Sequence, residues 1–136
     1  MKNTFLSLLI VLCGTSIFAA DWKTYFKNNE LEVLYQYSDC HDNANGIHQQ
    51  KILLKFVNLQ NKKVEVSYTK ELTFSKAKST SPDVKKITVQ LASNATLQGE
   101  CTTNDNRLYI FSKQLNFSST HLEKFELKNI SIEAIQ

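Results

Sequence analysis

The densest grouping of side chains able to do chemistry is Asp39-Cys40-His41-Asp42, with His48 on the far side of an Asn-rich stretch. Thiolate, imidazole and carboxylate are the usual metal ligands, so His41, Asp42 and His48 define one reading, a zinc or copper site. The competing reading makes Cys40 half of a disulfide at a strand end, with a turn through Asn43-Ala44-Asn45-Gly46 following it. Asn and Asp side chains bond to nearby backbone and Gly accepts a positive φ, which suits a turn. An oxidised Cys40 cannot be a thiolate ligand, and the three residues left lack paired ligand spacing. The disulfide is the preferred reading, and no metal or cofactor is assigned. Catalytic sets are weaker still. There is no Gly-X-Ser-X-Gly elbow, and Glu30 with Glu32 would share the outer face of a strand rather than a cleft. With no acid, base and nucleophile converging, the chain reads as non-enzymatic.

The cysteine argument depends on what precedes it. Lys2 is the only charged residue before Asp21, and Phe5-Leu6-Ser7-Leu8-Leu9-Ile10-Val11-Leu12 then leads through small residues to Ala19-Ala20. This is the grammar of a secretory signal peptide, expected to occupy residues 1–19 and to leave a domain of residues 20–136. The apolar run is broken at Gly14-Thr15-Ser16, short of the roughly 20 residues a spanning helix needs, so no membrane span is expected. Lipid attachment at Cys13 is disfavoured because Leu12, not a small residue, precedes it. Discarding Cys13 leaves the pair Cys40 and Cys101, most simply one bridge in an exported chain. Closing a loop of about 60 residues would stabilise the fold by up to about 4 kcal/mol. The sequons at Asn94, Asn116 and Asn129 are about as many as chance supplies.

Composition narrows the partners. Only Lys2 is lost from a full-chain charge of +3, and Arg107 is the sole arginine. That is too little positive charge and too few planar forks to indicate nucleic acid. The domain retains just Gly46 and Gly99, which excludes a glycine-rich phosphate cradle.

Period-two alternation supplies the elements that would hold these residues. Leu31, Val33, Tyr35 and Tyr37 share one face, Ile52 to Val57 is almost wholly apolar, and Val64, Val66, Tyr68, Leu72 and Phe74 share one parity. These predict a half-buried strand, a central strand covered on both faces, and a long alternating strand. Residues 58–63 read as a turn, and Ser75 to Lys86, containing Pro82, as a loop. Ile87 to Leu91 is a short strand, 94–106 a loop, and Leu108 to Phe111 a strand with room to continue. Trp22, Tyr25 and Phe26 fit either a helical turn or a first strand. Phe125 and Leu127 have the opposite parity to Ile130 and Ile132, which predicts a β-bulge near Lys128-Asn129. Six or seven strands without helices imply an all-β fold, a single immunoglobulin-like two-sheet sandwich. The only Trp precedes both cysteines, which argues against an antibody-type domain.

The runs Tyr37-Ser38-Asp39-Cys40, Leu54-Lys55-Phe56-Val57-Asn58 with Val64-Glu65-Val66-Ser67-Tyr68, Gly99-Glu100-Cys101 and Phe125-Glu126-Leu127-Lys128-Asn129 are similar to small exported β-sandwich proteins of flavobacteria and their relatives. The similarity covers most of the chain after the signal. It implies bacterial export and paired cysteines, and it transfers no functional residue. Two surfaces could meet a partner: the lysines Lys76, Lys78, Lys85 and Lys86 around Pro82, and an outward face at Tyr109 and Phe111. The expected function is an exported binding or structural module for a protein or glycan of the cell envelope. The alternative is a metal-handling envelope protein using His41, Asp42 and His48.

Overall fold

A computed structural model describes residues 21–76, 81–117 and 120–136, without side chains at 81–84. The expected signal peptide and Cys13 lie outside the described residues, as does Lys78. The strands are β1 (Lys23–Lys27), β2 (Leu31–Asp42), β3 (Ile47–Asn58), β4 (Val64–Phe74), β5 (Ser81–Leu91), β6 (Thr96–Gln98), β7 (Tyr109–Gln114) and β8 (Leu122–Ala134). The first sheet runs β1-β2-β3, with β6 and β7 side by side along the remaining edge of β3; the second runs β5-β4-β8, and every pairing is antiparallel. The all-β expectation holds, and the two sheets pack face to face.

Alternation explains the packing. Leu31 and Val33 of β2, Ile52, Leu54 and Phe56 of β3, and Val64, Val66 and Tyr68 of β4 point between the sheets and are buried. Phe56 stacks on Tyr68 with ring centroids 5.4 Å apart. Opposite parities of β3 are buried for different reasons. Its even residues fill the core, while Lys51 and Leu53 face outward yet are only 7% and 6% exposed. Lys51 is covered by the Cys101 carbonyl and the Tyr109 ring, and Gly99 begins the segment that carries Cys101 by donating its N–H to the carbonyl of Leu54. A Cβ at Gly99 would lie 2.2 Å from the carbonyl oxygen of Leu108, so only glycine permits this close passage.

The predicted bulge is present. Ser67 pairs Ser131 and Thr69 pairs Lys128, so Asn129 and Ile130 together oppose the single Tyr68. Asn129 has a φ of 54°, the left-handed conformation that asparagine tolerates best after glycine. Two expectations need correction. The loop assigned to Ser75–Lys86 is shorter, because β5 already begins at Ser81 and pairs Ser81–Asp83 with Leu72–Lys70. Pro82 is compatible with this because β5 is an edge strand. The loop assigned to 94–106 contains the short β6, held to β3 by three residue pairs. Tyr25 and Phe26 resolve as a strand, since β1 pairs β2, and Trp22 immediately precedes it.

Candidate functional site

The β2–β3 hairpin positions the grouping singled out in the sequence. All twelve residues of β2 pair with β3, ending at His41↔His48 and Asp42↔Ile47, and the turn closes at Gly46 with a φ of 65°. Successive side chains on a strand point to opposite faces. The hairpin tip therefore presents two surfaces, and the side chains of the adjacent residues Cys40, His41 and Asp42 alternate between them even though all three border one cleft.

The outer surface carries the disulfide. Cys40 bonds Cys101, 61 residues away, as the cysteine count predicts. Both cysteines belong to the first sheet and its connections, so the bridge ties segment 99–107 down over that sheet. An immunoglobulin bridge instead joins two sheets. Beside it opens a cleft of about 530 Å³ lined by Cys40, His41, Asp42, Asn43, Ile47, Gln49, Lys51, Cys101, Thr102 and Asn104, so His41 borders this cleft as well as the pair it forms with His48. Lys51 donates from Nζ to the Cys101 carbonyl at 3.1 Å and sits 4.3 Å from the centre of the Tyr109 ring. Burial lowers its pKa, because the charged form loses water. Asp42 accepts from the side-chain and backbone N–H of Asn45, at 2.7 and 3.2 Å, and these bonds hold its carboxyl below the ordinary aspartate value.

The inner surface carries the imidazoles. His41 and His48 face each other with Nδ1 atoms 2.9 Å apart, His41 exposed and His48 half-buried. One pair further along, Gln50 donates to Asp39 at 3.0 Å and accepts from the buried Ser112 hydroxyl at 3.2 Å. The trio His41, Asp42 and His48 is thus not assembled, since Asp42 lies on the far side of the strand, bonded within its turn. Among the described residues no three His, Cys, Asp or Glu side chains converge on one point.

The same end of the molecule gathers apolar surface. The large exposed hydrophobics among the described residues are Tyr37 at 49%, Ile47 at 42%, Leu59 at 40%, Leu115 at 36% and Phe117 at 78%. Ile47, Leu115 and Phe117 belong to the hairpin end, whereas Tyr37 lies opposite Ile52, further along the ladder. Ile47 is at the tip, Leu115 donates its N–H to the His48 carbonyl at 2.8 Å, and Phe117 is two residues further on. Alternation could not reveal this cluster, because Leu115 and Phe117 lie past the end of β7.

The other expected surfaces fare differently. Tyr109 and Phe111 do face away from the buried Ile110, but each is half-covered and Tyr109 is capped by Lys51. Lys85 and Lys86 are exposed on β5, beside a second cleft of about 430 Å³ that also includes Lys70 and Arg107. Those two cations are already engaged. Lys70 donates to the carbonyls of Asn106 and Tyr109, and Arg107 holds Asp105 and the Thr88 carbonyl. Glu32 is bound by Lys27 at 3.3 Å on a solvated edge, away from any cleft. Sequence reasoning passed over Lys51 and Lys70; the signal for Lys70 is a charge at the core-facing parity of Val64, Val66 and Tyr68, and Lys51 stands at the polar end of β3 with no such signal. No helix among the described residues is long and apolar enough to cross a membrane. No family model matches this chain, nor does any curated protein or solved structure, and the site's own chemistry carries the functional reading.

Proposed function

We propose that the chain is an exported, non-enzymatic binding module whose hairpin end engages a protein or glycan of the cell envelope. The observation that carries this reading is the exposure of Ile47, Leu115 and Phe117 near one end of the sandwich, with the exposed Tyr37 further along the same hairpin. Scattered single apolar residues are ordinary on a surface, whereas a cluster of large ones marks a contact. Tyr37 adds a hydroxyl and Asp39 a carboxylate on the inner face, while Asn43 and Gln49 add hydrogen-bonding groups on the outer one, the mixture of aromatic and polar groups that contact surfaces use. Export rests on the signal grammar of residues 1–19, with the anchored form through Cys13 disfavoured, and on a disulfide of the kind that persists in oxidising compartments. The resemblance to exported flavobacterial sandwich proteins points the same way, and an immunoglobulin-like module fits this use of one end for contact.

The test is capture from envelope extract by the oxidised chain and by a Tyr37→Ser/Phe117→Ser variant. Both side chains are exposed, so the variant should fold as the native chain does. A component retained by the native chain and lost by the variant is the expected result. Equal capture by both, or no capture by either with protein and glycan fractions alike, overturns the reading.

A further inference from the structure

We propose that His41 and His48 chelate one divalent transition-metal ion, of the copper or nickel class, on the inner face of the hairpin tip. The Nδ1 atoms stand 2.9 Å apart on directly opposed residues. Two nitrogens at adjacent corners of a tetragonal complex, each about 2.0–2.1 Å from the metal, lie about 2.9 Å apart; tetrahedral corners lie about 3.3 Å apart. The span, set here by the direct hydrogen bond between the rings, matches a tetragonal chelate once an ion replaces that bond. Imidazole is a preferred ligand for the tetragonal ions, and copper heads the affinity order of the divalent series.

The backbone fixes the opposition of the two histidines before any ion arrives. His41 follows the disulfide-bonded Cys40, and the β2–β3 ladder is paired without interruption up to both histidines. A site held on paired strands needs little reorganisation to bind. In the hydrogen-bonded pair one imidazole carries its proton on Nδ1 and the other on Nε2. Coordination needs both Nδ1 lone pairs, so the first ring shifts its proton to Nε2 through solvent. No net proton is released from two neutral rings, and no other bond changes. The remaining coordination positions are water-filled, because no third His, Cys, Asp or Glu among the described residues converges there. Asp39 lies on the same face, beside the histidine pair. This site is independent of the partner-binding reading, since it needs no second macromolecule.

The experiment titrates copper(II) into the oxidised full domain, following affinity by calorimetry and ligand type by electron paramagnetic resonance. The expected result is one ion per chain with two nitrogen ligands. Each of His41→Ala and His48→Ala should weaken binding by about a hundredfold, because the second imidazole binds intramolecularly. His121→Ala should leave it unchanged. His48→Gln serves as a second variant that preserves size at the tip, with circular dichroism reporting its fold. Native-like affinity in either single histidine variant, or native binding no tighter than that of the double variant, overturns the proposal.

Discussion

At the scale of single residues, the fold depends on polar side chains that close gaps between backbone groups. Asn58 is 1% exposed; its Nδ2 donates to the carbonyls of Lys62 and Ala92, each at 2.8 Å, and its Oδ1 accepts from the Gln60 N–H at 3.0 Å. One side chain thus ties the β3–β4 turn to the strand end after β5. Asn58→Ala leaves two carbonyls and one N–H without these partners, and should cost about 2 kcal/mol, read as a lower denaturant midpoint. Asp105 offers a different test. Its carboxylate accepts three hydrogen bonds from the Arg107 guanidinium, at 2.7 to 3.1 Å, and they hold its pKa below the ordinary value. A depressed folded-state pKa stabilises the native state above the unfolded value of about 3.9 and loses that contribution as pH falls through the folded one. Thermal melts between neutral and strongly acid pH should therefore show a shallower acid decline for Asp105→Asn than for the native chain. Parallel declines would mean that the Arg107 contact is energetically silent.

At the scale of elements, the disulfide and its hairpin form one device. The bridge pins the segment around Cys101 beside the outer face of β3, where the Cys101 carbonyl accepts from the buried Lys51. Replacing both cysteines by serine should cost up to about 4 kcal/mol through the freed loop. It should also speed amide exchange across 99–107 more than in β4, whose pairing does not involve the bridge. Uniform acceleration everywhere would point to global destabilisation instead. The elements were legible in the sequence where burial on one face imposes period two, as in β2 and β4, and where parity broke, as at Asn129. They were illegible where long-range pairing overrides local composition. Nothing in Ser81-Pro82-Asp83 favours a strand, and β6 is a strand only because β3 offers an unpaired edge beside it. The candidate site was half legible. Alternation alone separates His41 from Asp42, but the opposition of His41 to His48 depends on a hairpin register set by the turn at 43–46.

At the scale of the whole molecule, two sheets that do not close into a barrel leave unpaired edges, and here side chains from the facing sheet reach across to satisfy them. On one flank Lys70 of the second sheet donates to the Tyr109 carbonyl of β7, and Arg107 from the first donates to the Thr88 carbonyl of β5. The other flank is closed by Tyr25 of β1. Its hydroxyl accepts from the Leu127 N–H at 2.8 Å and lies 3.4 Å from the Leu127 carbonyl of the edge strand β8, while its ring stacks on Phe125 and meets Tyr35 edge-on. Ring and hydroxyl have separable roles. The ring packs β1 against β8, and the hydroxyl satisfies an edge that β4 does not reach. Tyr25→Phe keeps the packing and removes the polar link, so it should cost about 1 kcal/mol, the ordinary net worth of a hydrogen bond. Exchange at the Leu127 amide should rise well beyond that at Val66, whose strand β4 is central and paired on both sides. An exposed edge is also a template for another chain, so the variant should shift toward larger species in light scattering at high concentration. Unchanged exchange at Leu127 would show that β8 holds its edge without Tyr25, and that the sandwich is closed on this flank by packing alone.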